Sequence, residues 1–111
     1  MALVKYLMLL PITYNDGTRI AKAILEEILD QVFVFAGGYA IAGAAKGAYR
    51  MATGAKQVDR SLQIWIAIEQ SEQPRLRELV ADFCKRLDQE AMYLERAGGE
   101  VEFIPPTESE G

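Results

Sequence analysis

Residues 58–69, VDRSLQIWIAIE, alternate between apolar and polar side chains, and this pattern leaves the segment few ways to fold. Successive side chains of a β-strand point to opposite faces of a sheet, so the alternation predicts a strand with one face in a core. One face carries Val58, Leu62, Ile64, Ile66 and Ile68, and the other carries Asp59, Ser61, Gln63, Trp65 and Ala67. The chain is therefore expected to fold around a sheet that has one open face.

The segment before this strand predicts a strand, a helix and a second strand. VKYLMLLPITY (4–14) is apolar on both faces, which is typical of a strand buried on two sides, with Pro11 near its end. Apolar residues at helical spacing then predict a helix capped by Thr18 and stopped by Gly37. Residues 39–51 predict the next strand, paired with 58–69 around a glycine-containing turn.

The segment after residue 69 predicts a second helix and a closing hairpin. Pro74 suits the first turn of a helix, and apolar residues follow it at helical spacing. AMYLE and VEFI, separated by RAGGE, predict a hairpin over 91–104. The resulting order, βαββαβ with one extra C-terminal strand, predicts an α+β ferredoxin-like antiparallel sheet with two helices on one face.

Four short motifs occur along this pattern: FAGGY after the first helix, GAYR and DRS in the paired strands, and QEAMYLE after the second helix. With this order of elements they resemble small bacterial ferredoxin-like domains of the dimeric α+β barrel type, of uncharacterised function. The resemblance implies a homodimer in which two open sheet faces pack together around a small-molecule cavity. Similar architectures include cofactor-free monooxygenases and muconolactone-type isomerases, but no catalytic motif of theirs is matched here.

The composition limits the range of functions. A chain of 111 residues predicts one domain, assigned here to 1–104, followed by a flexible acidic tail at 105–111. The net charge of −4 opposes binding to nucleic-acid phosphates. LMLLPI (7–12) is too short to span a bilayer and no signal peptide is recognised, so we expect a cytoplasmic protein with no membrane contact.

The chain has no histidine, and its single cysteine, Cys84, lies in an apolar helical stripe. Histidine bases, Ser-His and Cys-His nucleophile pairs and histidine-ligated metals are therefore excluded. We expect no metal, no cofactor and no assigned catalytic residue. If the fold were catalytic, six residues would be candidates for acid-base work: Tyr6, Arg50, Asp59, Trp65, Glu90 and Tyr93.

The glycine- and alanine-rich stretch GGYAIAGAAKGAYR (37–50) has the appearance of a phosphate-binding loop. Gly38 and Gly43 have P-loop spacing, but Ala44 and Ala45 occupy the positions that require lysine and serine or threonine. A dinucleotide fingerprint fails in both spacing and context. The stretch is better interpreted as a strand of small side chains.

The faces of this strand depend on the turn that follows it. An even number of turn residues places the glycines under a helix and the alanines on the open face beside Trp65. Asp59 is then able to pair with Arg50. An odd number of turn residues swaps the two faces. On the even alternative, seven residues form the candidate ligand-binding or interface site: Ala42, Ala44, Lys46, Arg50, Asp59, Gln63 and Trp65.

Three functions are consistent with these observations. The first is a homo-oligomeric small-molecule-binding or regulatory domain that associates through its open sheet face. The second is an acidic inhibitor or immunity-type protein that presents Glu26, Glu27, Asp30 and the tail to a basic partner. The third is a cofactor-free enzyme of the dimeric barrel type.

Overall fold

A computed structural model describes residues 2–108. The chain runs through β1 (Leu3–Pro11), α1 (Lys22–Ala36), β2 (Ala40–Arg50) and β3 (Lys56–Glu69), and a 3-10 turn (Gln70–Glu72) leads into α2 (Gln73–Arg86). β4 (Met92–Arg96) and β5 (Val101–Ile104) form the closing hairpin.

The five strands form one antiparallel sheet in the order β2-β3-β1-β4-β5. The first four strands have the ferredoxin-like arrangement, and β5 extends the sheet beyond β4. The predicted α+β fold is confirmed, including the extra C-terminal strand.

β1 occupies the centre of the sheet, which explains why its sequence is apolar on both faces. Tyr6 is paired with Ile66 on one side and with Arg96 on the other. Pro11 is the last residue of the strand, as predicted, so its missing amide hydrogen interrupts no central ladder.

Both helices pack on the same face of the sheet and bury every second residue of the central strands. In β1 these are Tyr6, Met8 and Leu10, and in β3 they are Ile64, Ile66 and Ile68. The helices cover them with Ile28 and Val32 from α1 and with Leu76, Val80, Phe83 and Cys84 from α2. The alternation seen in the β3 sequence is therefore the alternation between the helix-covered face and the open face.

The start of α1 differs from the sequence prediction. Thr18 does not cap the helix: its amide and its hydroxyl both donate to Oδ1 of Asp16, at 2.9 and 2.6 Å. The chain then runs back along the end of β1, where Ile20 N donates to Ile12 O at 3.0 Å, and the helix begins only at Lys22. The predicted C-terminal stop is confirmed, because Gly37 is left-handed, with φ of 80°, and donates to Phe33 O.

The connection between β2 and β3 contains residues 51–55, an odd number, and Arg50 is paired with Lys56. Near the turn the faces are therefore swapped relative to the even alternative. The register then shifts between Ile41 and Ala44, where two residues of β2 oppose one of β3 and Gly43 has φ of 117°. Beyond this bulge Ala40 is paired with Trp65, so neither alternative holds along the whole strand.

Part of the predicted tail contacts α2. Thr107 donates from its amide to Ala81 O at 3.1 Å and from its hydroxyl to Oδ1 of Asp82 at 2.7 Å. The rest of the predicted tail, residues 109–111, lies outside the described residues. Among residues 2–108, no helix combines the length and apolarity needed to cross a membrane.

Candidate functional site

The open face of the sheet carries a groove of about 350 Å³ at the end nearest the β2–β3 turn. The odd-numbered residues of the strands point to this face, because their even-numbered neighbours point to the helices. Its lining comprises Leu9, Pro11, Ala45, Lys46, Gly47, Ala48, Tyr49, Asp59, Ser61, Gln89, Ala91, Met92, Tyr93 and Phe103. All five strands and the segment after α2 therefore contribute to one concave site.

Tyr49 and Asp59 are the polar pair of the groove. Gly47 is paired with Asp59 and Tyr49 with Gln57, so the two side chains are neighbours on one face of the β2–β3 hairpin. Burial raises the pKa of the Tyr49 phenol, and the charges of Asp59 and Glu90 raise it further. Burial also raises the pKa of the Asp59 carboxyl. At neutral pH the phenol is therefore a neutral donor beside a partly desolvated acid.

The hydroxyl of Tyr49 is buried and has no hydrogen-bond partner among residues 2–108. A buried polar atom without a partner costs free energy, and in native proteins such atoms are rare. Because Tyr49 lines the groove, a molecule bound there is a natural partner for this oxygen. The side-chain oxygens of Tyr6 and Asn15 are also buried without a partner, but of these three residues Tyr49 is the one that lines the groove.

Gly47 keeps the space beside Asp59 open. A Cβ atom added to Gly47 would meet no atom within 4 Å, so no part of this chain packs against the position. The prediction that the glycines allow a helix to pack closely is therefore wrong for Gly47, which faces the groove.

The opposite wall of the groove is aromatic. The rings of Tyr93 and Phe103, which are paired across the β4–β5 hairpin, meet edge to face at a centroid distance of 5.6 Å. The Tyr93 hydroxyl donates to Oε1 of Glu95 at 2.6 Å, and this hydrogen bond raises the pKa of the phenol. Phe103 is 63% exposed, so its ring is available to a planar ligand or to another subunit.

The segment after α2 closes the third side. Gln89 is buried, its Nε2 donates to Leu87 O at 3.0 Å, and its carbonyl accepts from Sγ of Cys84 at 3.3 Å. Oε1 of Glu90 accepts from the Ala52 amide at 2.6 Å, which joins this segment to the β2–β3 turn. The pKa of Cys84 is raised to about 11 by burial, so the thiol stays neutral and is a poor nucleophile.

A second, shallower cleft of about 430 Å³ lies at the other end of the open face. Its centre is Trp65, whose ring lies 4.2 Å from the ammonium of Lys5 in a cation–π contact. Leu3 and Tyr39 also line this cleft. It lacks the buried polar atoms that distinguish the groove around Tyr49.

The structure distributes the seven predicted site residues over different places. Asp59 and Lys46 line the groove, while Trp65 and Gln63 lie farther along the open face, opposite β1. The register places Ala44 opposite Leu62, and Ala42 lies in the bulge. Arg50 is opposite Lys56, so it is not the cross-strand neighbour of Asp59 and the anticipated ion pair does not form.

The remaining acid-base candidates are also separated. Tyr93 lines the groove and Glu90 lies close enough to raise the pKa of Tyr49, whereas Tyr6 points to the helices and is only 1% exposed. Sequence reasoning did not select Tyr49, Ser61, Gln89 or Phe103. An odd count of turn residues would have indicated Tyr49 and Ser61, since it pairs the odd positions of β2 with those of β3.

This arrangement offers donors, acceptors and aromatic surface, but no metal site. No group of three or more cysteine, aspartate or glutamate side chains is arranged to hold a metal ion anywhere in residues 2–108. The phenol of Tyr49 can donate, the carboxylate of Asp59 can accept or attract a cation, and Tyr93 and Phe103 can contact a planar ring. The geometry suits a small ligand with a flat ring and with hydroxyl groups or a positive charge.

Two solved structures share this fold over nearly the whole chain. A phage SAM lyase in complex with S-methyl-5'-thioadenosine is 13% identical, with a TM-score of 0.65, and the match covers 93% of this chain and 89% of that one. A phage SAM lyase in the apo state is 15% identical, with a TM-score of 0.66, and the match covers 96% and 92%. At this level of identity the likeness establishes a shared fold.

Sequence comparison gives no closer relationship. No protein-family profile matches the chain, and no curated protein matches it significantly.

Proposed function

We propose that the protein binds a small nucleoside-type molecule in the open-face groove. The observation that carries this proposal is the buried Tyr49 hydroxyl, which lacks a partner in the described chain and lines the groove beside Asp59. A ligand that accepts from this hydroxyl removes the cost of the unpaired atom, so binding and stabilisation are coupled.

The proposed ligand class is adenosine thioethers and their sulfonium parent. The likeness to a phage SAM lyase, one structure of which holds S-methyl-5'-thioadenosine, supports this choice. The side chains are compatible with it, since an adenine ring can lie against Tyr93 or Phe103 and Asp59 can attract the sulfonium charge of S-adenosylmethionine. The net charge of −4 also favours a cationic ligand over a phosphorylated one.

The protein acts as a homo-oligomer in this proposal, with the open sheet face against another subunit as in a dimeric α+β barrel. Support comes from the large apolar side chains that this face exposes: Leu3 is 59% exposed, and Val101 and Phe103 are also exposed. Exposed apolar surface of this kind marks protein interfaces. Because the groove opens on the same face, a second subunit would also enclose the ligand.

A second candidate function is cleavage of S-adenosylmethionine, which the name of the fold neighbour favours. Breaking the bond between the sulfonium sulfur and the γ-carbon leaves the electron pair on sulfur and releases neutral S-methyl-5'-thioadenosine. As that bond breaks, either the substrate's own carboxylate oxygen bonds to the γ-carbon and closes a lactone, or Asp59 takes a β-proton and the C–H electrons form a β,γ double bond. Neither route needs an imidazole, and the chain has none.

Calorimetric titration with S-methyl-5'-thioadenosine and with S-adenosylmethionine tests the binding proposal. Tyr49→Phe removes only the unpaired oxygen, and we expect it to weaken binding of both ligands about fivefold. Asp59→Asn removes the carboxylate charge. It should therefore weaken binding of the cationic ligand about tenfold and binding of the neutral ligand less than about threefold.

Tyr14→Phe is the matched control, because it removes the same atom from a tyrosine outside the groove. It should leave both affinities unchanged. Absence of binding to the wild-type protein, or equal losses in Tyr49→Phe and Tyr14→Phe, would contradict the proposed site.

Chromatography of S-adenosylmethionine incubated with the protein tests the second candidate. Release of S-methyl-5'-thioadenosine above the uncatalysed background supports cleavage, and mass spectrometry of the four-carbon product distinguishes the two routes. If Asp59 takes the proton, Asp59→Asn abolishes the reaction, whereas closure by the substrate carboxylate leaves it largely intact. Binding without product would rule out cleavage and leave the binding function.

A further inference from the structure

The outer surface of the helix layer carries a groove between α1 and α2, on the opposite side of the molecule from the sheet face. This interhelix groove has a volume of about 570 Å³. Its apolar floor is formed by Val34 and Phe35 of α1 and Leu79 of α2. Val34, in the last turn of α1, is 83% exposed, which is high for a large aliphatic side chain. Nothing else in the described chain covers this floor.

The rim of the interhelix groove is acidic. It carries the four carboxylates of Asp30, Glu72, Glu78 and Asp82, and a single cation, Arg75. None of these four carboxylates forms an ion pair with another side chain in residues 2–108. Oδ1 of Asp82 accepts from the Thr107 hydroxyl at 2.7 Å, but no positively charged side chain of the described residues neutralises any of the four carboxylates around the apolar floor.

The rim is distinct from the acidic patch expected from the sequence of α1 alone. In the structure Glu26 is paired with Lys22 at 3.8 Å, and Glu27 with Arg86 of α2. Only Asp30 of that patch reaches the interhelix groove, where the 3-10 turn and α2 supply the remaining carboxylates. The acidic surface was built by packing two helices side by side.

We propose that the interhelix groove binds a basic amphipathic helix of a partner protein. An apolar floor takes the aliphatic side chains of such a helix at positions i, i+3 or i+4, and i+7, and an acidic rim pairs with flanking lysines and arginines. The lining extends from Glu72, at the end of the 3-10 turn, along α2 to Asp82, about three helical turns, which matches a partner contact of that length.

Charge complementarity separates this partner from other occupants. Nucleic acids and anionic lipid surfaces carry the same sign of charge as the rim and are repelled by it. A second copy of the chain related by a twofold axis would place the acidic rim against itself. A cationic, partly apolar protein segment remains as the occupant that satisfies both the rim and the floor.

Fluorescence anisotropy with a designed peptide tests this proposal on the full chain. The probe is a labelled 18-residue helix with leucine at positions i, i+3, i+4 and i+7 and lysine elsewhere, and its counterpart has glutamate in place of lysine. We expect the lysine peptide to bind and the glutamate peptide not to bind. Raising the salt from about 0.05 to 0.5 M should weaken binding, since the Debye length falls several-fold.

The variants locate the binding surface. Glu78→Lys should weaken binding of the lysine peptide about tenfold. Val34→Ser removes apolar surface from the floor and should weaken binding of the same peptide about threefold. Glu100→Lys is the matched control, because it makes the same charge change at an exposed position between β4 and β5, outside the groove.

Three results would overturn the proposal. Equal affinity for the two peptides would show that charge does not select the partner. Equal losses in Glu78→Lys and Glu100→Lys would show that only the overall charge matters. Self-association of the wild-type protein that Val34→Ser removes, seen by sedimentation, would assign the groove to a second copy. None of these results bears on the open-face groove, where Tyr49 and Asp59 lie.

Discussion

The two faces of this sheet differ in how many polar side chains they carry, although the same strands form both. On the helix-covered face Met8, Leu10 and Ile64 are at most 2% exposed and bring few polar atoms into the core. On the open face the same strands place Asp59 and Ser61 beside Leu9 and Pro11, and the groove there includes a buried hydroxyl without a partner. The helix-covered face also buries one hydroxyl without a partner, that of Tyr6, but the open face combines such a hydroxyl with a carboxylate in a concave site.

That difference is the reason for proposing the open-face groove as the binding site. Residues that are unfavourable for stability but retained in a concave site are typical of binding and catalytic sites, because the ligand supplies what the fold lacks. Asp59 and Tyr49 both have raised pKa values caused mainly by burial, on a face where no helix packs. The helix-covered face has no such concentration of strained polar groups along its strands.

The largest expected effect is on stability, and it comes from substituting neighbouring residues of β3 that point to opposite faces of the sheet. Ile64→Ala removes a fully buried side chain and should lower the free energy of unfolding by about 3–4 kcal/mol. Trp65→Ala removes a larger but only partly buried side chain and should cost about 1–2 kcal/mol. Urea denaturation of both variants at concentrations where the protein is monomeric gives the comparison, and an equal or larger cost for Trp65→Ala under those conditions would contradict it.

The second prediction concerns association through the open face. Trp65→Glu places a charge on that face, so we expect it to weaken the proposed oligomer at least about tenfold. Analytical ultracentrifugation over a range of concentrations measures the effect. Val58→Glu, on the other face of the same strand, is the control. A wild-type protein that stays monomeric at all concentrations, or a Trp65→Glu variant that associates as well as wild type, would exclude this interface.

The third prediction addresses the cation–π contact at the other end of the open face. Lys5→Met keeps the aliphatic stem of the side chain and removes the charge that lies over the Trp65 ring. The loss should be about 0.5–1 kcal/mol of unfolding free energy. In a Trp65→Leu background the same substitution should have no effect, and a double-mutant cycle tests this. A loss that persists without the indole would mean that Lys5 acts through another contact.

The smallest expected effect is the pH dependence that Asp59 contributes. Because burial raises its pKa in the folded chain, the folded state binds a proton more tightly than the unfolded state. The stabilisation from this proton is present below the unfolded pKa and is lost as the pH rises through the folded pKa. Asp59→Asn should therefore raise Tm at pH 7 by about 1–2 °C relative to wild type, with a smaller or reversed difference near pH 3.

Thermal melts of both proteins across this pH range measure the effect. A constant difference between wild type and Asp59→Asn at all pH values would show that the Asp59 carboxyl does not titrate differently in the folded state. A saturating ligand should reverse the order at pH 7 if the carboxylate contributes to binding.

Local sequence patterns predicted most of the fold. The alternation in β3 identified a strand with one buried face, the doubly apolar β1 sequence matched a central strand, and the strand containing Val101 and Phe103 was predicted with its observed limits. The predicted start of α1 was wrong, because Thr18 forms hydrogen bonds to Asp16 and the segment that contains it runs back along β1. The spacing of residues within a short segment does not reveal that the segment pairs with the end of another strand.

The candidate site was less accessible to sequence reasoning. Asp59, Lys46 and Tyr93 were selected and line the groove, but Tyr49 and Ser61 were not. Their position depends on the parity of a turn and on a bulge at Gly43, each of which reverses the faces of β2. A shift of one residue in register moves every side chain to the other face, so small errors in the turn have large consequences for the site.

The sequence by itself determined the order of elements, the apolar face of β3 and the absence of histidine chemistry, because hydrophobic periodicity and residue inventory are local properties. Only the tertiary structure decided which polar residues share a cavity, since that depends on register, on the bulge and on how far apart the helices pack. The stretch GGYAIAGAAKGAYR resembled a phosphate-binding loop, and the structure makes it an edge strand that presents Tyr49 to a groove.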